Sequence, residues 1–358
     1  MLGSVVRLAV ALPVTKTNVT MTRSKKTGRI LLTRFLSSLR SAAGCASAAL
    51  LAAIMQLPAF FSSCTPHAPY TPAKAPVYTT LQWTKTSAPD AVDLFFFETQ
   101  GSELLDAYQQ VVQPEKERPV YGMCALGARR LVALSGEPGE TARWADIRTY
   151  GNLQKHVFSL ADESAQAPLL WGEAFLEEGA SRQCILTLHP LLSAIRFRSV
   201  SCDFSGRPYA GLHLSLQKLF LTYAGSEYRP LEGGDGEPVS WLNPGFLDST
   251  ALRALKEPSL LCQEGCGAIG RERRYPGQTL YCYPGSGTHL VLEAKADTFT
   301  CYYPIPLPRL EANHCLELDI TLRRLGSAGP DIPTVSGAVS LQAQWIPWEK
   351  REPYTVTY

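Results

Sequence analysis

Apolar and polar residues alternate one by one along residues 315–322, where leucines and an isoleucine are interleaved with acids and a threonine. Because successive side chains of a β-strand point to opposite faces, this period of two predicts a half-buried strand. Residues 339–345 show the same alternation. From Val92 onward, short apolar runs recur at intervals of roughly 10 residues, separated by glycine, proline, serine and aspartate. Many short strands with few helices predict an all-β fold of antiparallel sandwiches.

Other strands follow from the same local patterns. They are predicted at residues 91–97, 130–134, 183–188, 194–200, 279–283, 289–294, 298–303 and 354–358. Within 194–200, the alternation predicts that Ile195 and Phe197 face the core while Arg196 and Arg198 face outward.

Helices are few in this sequence. Apolar residues at helical spacing predict one over residues 102–112. A shorter helix is predicted at 249–255, stopped before Pro258. The alternation around Leu216 slips by one residue at Gln217–Lys218, and a slip of one reverses the faces of a strand, so a β-bulge is predicted there.

The N-terminal region has the order of an export signal. Basic residues between positions 23 and 40 precede a nearly uncharged apolar stretch at 42–61, and small residues follow it. This order marks a leader at residues 1–63, for which Met21 is the more plausible start. About 20 apolar residues are also enough to cross a bilayer, so a retained transmembrane helix is the alternative. Both interpretations place the rest of the chain outside the cytoplasm.

The end of the leader resembles a bacterial lipobox. Phe61, Ser62 and Ser63 run directly into Cys64. The resemblance implies that the leader is cut before Cys64 and that the Cys64 thiol is acylated. The protein is then expected to be held at the outer membrane by a lipid.

Two polar stretches predict the domain organisation. Proline recurs almost every third residue along 64–76, which favours an extended spacer. Glycine, acids and proline at 232–238 predict a linker between an N-terminal sandwich, 77–231, and a C-terminal sandwich, 239–358. The length suits two domains of about 150 residues each.

Composition excludes some classes of function. Hydrophobic residues make up 45% of the chain and charged residues 18%, as in folded proteins. A net charge of +2 without a basic stripe gives no indication of nucleic-acid binding. The ten cysteines are thinly spread, so at most one or two bridges are expected, with Cys262 and Cys266 the candidate pair nearest in sequence.

No motif of catalysis or cofactor binding is convincing. Residues 265–270 match a dinucleotide fingerprint, but no apolar-faced helix follows, so a surface loop is predicted. The cysteines and histidines lack the paired spacing of zinc sites, and we expect no metal or cofactor. The acidic pairs Asp162–Glu163 and Glu177–Glu178 are most simply solvated turns, although paired carboxylates also serve glycosidases. Tryptophans that could stack on a sugar stand at Trp171, Trp241, Trp345 and Trp348.

Several segments together resemble the fimbrillin superfamily, the lipoprotein subunits and accessory proteins of type V pili. In the C-terminal half they are residues 279–284, 301–307, 310–322, 326–331 and 345–348; in the N-terminal half they are 93–97, 184–188 and 193–197. The resemblance implies two tandem transthyretin-like β-sandwiches, a lipid-modified precursor and a place in a surface fibre. Its partners would be other fimbrial subunits.

Fibre assembly in this superfamily works by donor strand addition, a form of β-augmentation. The candidate donor strands carry Val339, Leu341, Ala343 and Trp345, and Tyr354, Val356 and Tyr358. Both are alternatively ordinary edge strands of their own domain.

Two departures from the superfamily pattern refine the expected role. No arginine for a processing protease occurs between Cys64 and Arg118, which favours an anchor, tip or minor subunit over a stalk subunit. No acidic cluster follows Cys64, so cell-surface and periplasmic orientations both stay open. The prediction is a non-catalytic adhesion or fimbrial lipoprotein, and the alternative is a lipid-anchored protein that binds or processes surface glycans.

Overall fold

The computed structural model describes residues 73–83, 88–178, 182–230, 236–272 and 277–348. The predicted leader, its lipobox with Cys64, and the predicted strand at 354–358 lie outside these ranges. Residues from Pro72 onward group into one compact unit. The fold is all-β, as the sequence predicts, with two short α-helices among the described residues, α1 (Tyr150–Gln154) and α2 (Ser249–Arg253).

The first sandwich contains seven strands that enclose a core of their own. They are β1 (Lys74–Trp83), β2 (Ala91–Glu98), β3 (Leu105–Val112), β4 (Pro119–Ala125), β5 (Arg129–Gly136), β7 (Leu170–Leu176) and β8 (Gln183–Pro190), in the order β3-β2-β5-β7-β8-β1-β4. Val77, Leu94, Phe96, Leu131 and Leu186 are among the side chains of this inner core. The two-residue strand β6 (Phe158–Ser159) lies outside this sheet.

The two four-stranded sheets of the second sandwich share one hydrophobic core, which also includes Phe95, Phe97, Val132 and Leu134 of the first. The remaining strands are β9 (Ser193–Cys202), β10 (Leu214–Thr222), β11 (Ala224–Tyr228), β12 (Ser240–Leu242), β13 (Cys262–Ile269), β14 (Thr279–Cys282), β15 (His289–Ala296), β16 (Phe299–Pro306), β17 (His314–Leu322) and β18 (Val339–Pro347). One sheet has the order β14-β9-β17-β18 and the other β13-β10-β15-β16, while β12-β11-β6 form a small third sheet.

The helix predicted at 102–112 is wrong, because residues 105–112 form strand β3. This edge strand pairs antiparallel with β2, and the Tyr108 hydroxyl donates to Asp93 Oδ1 at 2.6 Å. Nearly every β3 side chain is half-buried, so no alternation marks the strand in sequence. Pairing with β2 therefore overrides the local helical spacing.

The predicted linker at 232–238 does not separate the strands of the two sandwiches. Strand β9 precedes it in the chain but pairs parallel with β17 and antiparallel with β14, and β10 pairs with β13 and β15. The chain instead passes from the seven-stranded sheet to the second sandwich between β8 and β9, at Leu191 and Leu192. These pairings join segments far apart in sequence. The amino-acid composition of one short stretch, such as 232–238, does not reveal them.

In the second sandwich, the strand, helix and bulge described next were predicted correctly from local patterns. The apolar residues of β17 are buried while the acids between them are only partly so, and helix α2 lies inside the predicted 249–255. Strand β10 changes register between Leu216 and Lys218 against both neighbours, which confirms the predicted bulge.

Arg196 lies on the face of β9 opposite the core, as predicted, but it is only 5% exposed. It lies in β9, whose neighbours β14 and β17 flank it on both sides. Its Nη1 lies 3.1 Å from Glu317 Oε1 on β17, and the more exposed Arg198 lies 3.2 Å from Asp319 Oδ2. Paired charges therefore cover this face of the sheet.

Candidate functional site

Strand β18, the first of the two candidate donor strands, pairs within its own chain. Nine residue pairs join it antiparallel to β17, from Val339 opposite Leu322 to Pro347 opposite His314. It is the last strand of its sheet, and no strand of the described part pairs with its outer edge. The structure thus shows the edge-strand alternative, with one row of backbone groups open to a partner.

The inward-facing row of β18 is incompletely covered. Val339, Leu341 and Trp345 are half-buried against the core, and Ala343 is exposed although it stands opposite the fully buried Leu318. Protein edge strands usually carry charges or bulges that discourage pairing with other chains. The sequence of β18, VSLQAQWIP, contains no charged residue. This edge therefore lacks the charges that discourage pairing with another chain.

Strand β1 is an inner strand of the first sandwich. It lies between β8, to which it is parallel, and β4, to which it is antiparallel. Its inward row is buried, with Val77, Thr79 and Leu81 all at 1% exposure or less. Removing β1 would leave a gap of roughly 10 Å, two strand spacings, over the inner core.

Arg182 fastens the start of β1 to the end of β4. Its Nε donates to the Pro76 carbonyl at 3.1 Å, and its Nη2 donates to the Ala125 carbonyl at 3.1 Å and to Cys124 Sγ at 2.7 Å. Burial raises the pKa of the Cys124 thiol, so this sulfur accepts the bond as a neutral group. Arg182, directly before β8, thus links β1 to β4.

The predicted Cys262–Cys266 bridge is wrong. Both residues lie on β13, and the eight cysteines that the structure describes are thiols. Four residues along a strand span roughly 13 Å, far beyond the reach of a disulfide. The loop predicted at 265–270 is also wrong, because residues 265–269 belong to β13. This edge strand pairs with β10 on both sides of the β10 bulge.

The tryptophans and acidic pairs separate into buried and exposed members. Trp348 packs in the core, Trp171 and Trp345 are half-buried, and Trp241 is 47% exposed. Glu177 and Glu178 are exposed, as predicted, but Glu163 is buried. The Tyr283 hydroxyl, 120 residues away in the chain, donates to Glu163 Oε1 at 2.9 Å, so no local sequence signal could have found this contact.

Membrane-spanning helices and metal-ligand clusters are absent from the residues that the structure describes. No helix among them has the length and apolar character needed to span a bilayer. No three histidine, cysteine or acidic side chains in the same ranges are grouped as metal ligands would be.

This fold, with two β-sandwiches in one chain, is similar to that of several solved structures. No protein-family model and no curated protein matches the sequence. Among solved structures, a proposed cell adhesion protein from Bacteroides eggerthii is similar, with a TM-score of 0.58 at 15% identity, over 78% of this chain and 97% of that one.

Two more solved structures share the fold. A proposed cell adhesion protein from Parabacteroides distasonis has a TM-score of 0.57 at 13% identity, over 77% of this chain and 97% of the other. A fimbrilin from Porphyromonas gingivalis has a TM-score of 0.54 at 14% identity, covering 78% and 98%. The predicted resemblance to fimbrillins is therefore confirmed at the level of the fold.

Proposed function

We propose that this protein is a non-catalytic, lipid-anchored fimbrial or adhesion subunit that joins its neighbour by β-strand addition at β18. The observation that carries the proposal is the nine-residue, uncharged outer edge of β18 with its half-covered apolar row. A partner strand would gain main-chain hydrogen bonds along this edge, and its alternate side chains would cover Ala343 and Trp345. The likeness in fold to fimbrial and adhesion proteins supports the same role.

The position of β1 favours an anchor, tip or minor subunit. The slot between β4 and β8 accepts a foreign strand only after β1 leaves, and β1 is fixed there by its buried row and by Arg182. No arginine stands between Cys64 and Arg118, so an arginine-specific protease has no site from Cys64 to the end of β1. The lipid at Cys64 then stays joined to the folded subunit, and the β18 edge is available for addition.

Ala343→Lys is expected to abolish association with fibre proteins while leaving the fold intact. Ala343 is exposed in the subunit alone, where a surface substitution changes stability by about 0.5 kcal/mol or less. Under an added strand, the lysine ammonium would be trapped beside apolar side chains without a partner. Co-purification of fibre proteins with the tagged full chain from the producing cells measures the loss.

Gln342→Lys is the matched control. It places the same charge on the neighbouring exposed residue, whose side chain projects from the opposite face beside Asp319. We expect this variant to retain most of its partners. Equal retention by both variants would show that β18 is not the contact edge.

Cys64→Ala is expected to remove lipid labelling completely and to release the protein from the membrane fraction. The prediction follows from the lipobox at residues 61–64, where the cysteine thiol is the acylated group. Metabolic labelling with a clickable palmitate analogue and membrane fractionation test it. Unchanged membrane retention would instead support a retained transmembrane helix.

A further inference from the structure

A cavity of about 760 Å³ lies where the first sandwich meets Tyr283, the residue that follows strand β14. Its walls come from the residues before β2, the end of β5, the segment 156–170 and Tyr283. Small-molecule sites commonly have volumes of about 300–1,000 Å³. The cavity therefore has room for a small ligand or for one long side chain of a peptide.

Glu163 provides the buried charge of this cavity. It is 3% exposed, and its two oxygens accept hydrogen bonds of 2.9 Å, Oε1 from the Tyr283 hydroxyl and Oε2 from the Leu169 backbone N–H. A carboxylate has about four acceptor positions, so these two bonds leave capacity for a ligand donor. Burial is the main cause that raises the Glu163 pKa to about 7, and the nearby Asp162 raises it further. Tyr283, the Leu169 N–H and Arg143 oppose the rise.

The charges around the cavity favour a cation. Five carboxyl side chains line it against two cations, Arg143 and Lys256. Lys256 Nζ lies 3.5 Å from Glu137 Oε1, and the Arg143 guanidinium lies over the Trp144 ring at 4.1 Å. Both cations thus have partners, whereas Glu163 forms no ion pair with any described residue. A buried carboxylate is strongly stabilised by a compact cation that reaches it.

We propose that this cavity binds a primary ammonium group, namely the lysine side chain of a peptide, with Glu163 as its counter-ion. The cavity walls would surround the aliphatic part of the lysine, and the ammonium would donate to the open acceptor positions of Glu163. The ligand enters already protonated, and the proton carried by neutral Glu163 passes to solvent as the ion pair forms. This site is independent of the β18 edge and of fibre assembly.

The experiment is calorimetric titration of the full chain at pH 6.5 with acetyl-Gly-Lys-Gly-amide. The matched probe is the same peptide with its lysine Nε-acetylated, which keeps the length and removes the charge. We expect saturable binding of the lysine peptide only. Titration in two buffers of different ionisation enthalpy should show release of part of a proton per peptide bound, because Glu163 ionises. Glu163→Gln should weaken binding by at least roughly 30-fold and abolish proton release.

Two further variants make the outcome decisive. Lys256→Ala removes an exposed cation at the cavity wall and should retain or strengthen binding. If the Glu163→Gln variant loses its near-ultraviolet circular dichroism, the Tyr283→Phe variant is used in its place. Tyr283→Phe removes one hydrogen bond from the Glu163 carboxylate, which raises the pKa of Glu163, so more protons should be released on binding. Equal binding of both peptides, unchanged binding by Glu163→Gln, or no binding by the native protein would each overturn the proposal.

Discussion

Leu81→Ala in strand β1 is expected to lower the free energy of unfolding by about 2–5 kcal/mol. Leu81 is fully buried, and its strand fills the slot between β4 and β8 over the inner core of the first sandwich. The truncation removes buried apolar contact and leaves a cavity that the flanking strands cannot easily close. Chemical denaturation of the two proteins, followed by tryptophan fluorescence, measures the difference.

Ile185→Ala is the matched control for this change. Ile185 lies on β8, opposite Thr80 of β1, but it is 63% exposed. Its truncation should change stability by about 0.5 kcal/mol or less. A loss below about 1 kcal/mol for Leu81→Ala would mean that β1 is not an integral strand, and the argument that its slot stays closed would fail.

Glu163→Gln is expected to change how stability depends on pH. Glu163 has a pKa of about 7 in the folded protein against an ordinary value of 4.5, mainly because it is buried. Between these values the folded protein binds more protons than the unfolded chain, so the free energy of unfolding falls as pH rises. The contribution is fully present below pH 4.5 and lost above about 7, and it amounts to roughly 3 kcal/mol. The glutamine cannot ionise and should lack this dependence.

The measurement is the difference in unfolding free energy between native protein and variant from pH 4 to pH 8. The difference is needed because burial lowers the pKa of His156 and of His289, which makes stability rise with pH near neutrality. Glu177→Gln, the same substitution at an exposed site, should give a constant difference. A constant difference for Glu163→Gln as well would contradict the burial of that carboxyl group.

Features set by local periodicity were predictable from the sequence. The alternation in β17, the bulge in β10 and helix α2 all appear where their local patterns place them. Each depends on whether a few neighbouring side chains face the core, and that information is present in a short window of sequence. The likeness in fold to fimbrial proteins has the same origin, because a series of such strands defines the sandwiches.

Features set by distant partners were not predictable in this way. Strand β3 is a strand because β2 lies beside it, and Arg196 is buried because Glu317 offers a charge on β17. Glu163 is buried by Tyr283, which arrives from the other sandwich. In each case the deciding contact joins residues that are not neighbours in the chain, and the local sequence contains no signal for it.

The candidate site was predictable from the sequence only in part. Alternation identified β18, but only the sheet order shows that the strand already pairs with β17 and presents its other edge. The second candidate strand, with Tyr354, Val356 and Tyr358, stays a prediction because it lies outside the described residues. The role proposed for β18 therefore changes from that of a free donor to that of an edge that accepts a partner strand.

Amide hydrogen exchange along β18 tests the proposed strand addition most directly. Main-chain hydrogen bonds to a partner would slow exchange of the outward-facing amides of residues 339–347. We expect this segment to gain protection in assemblies extracted from the producing cells compared with the isolated subunit, whereas β16, an edge strand of the other four-stranded sheet, stays unchanged. Exchange along β18 that is equally fast in both states would contradict strand addition at this edge.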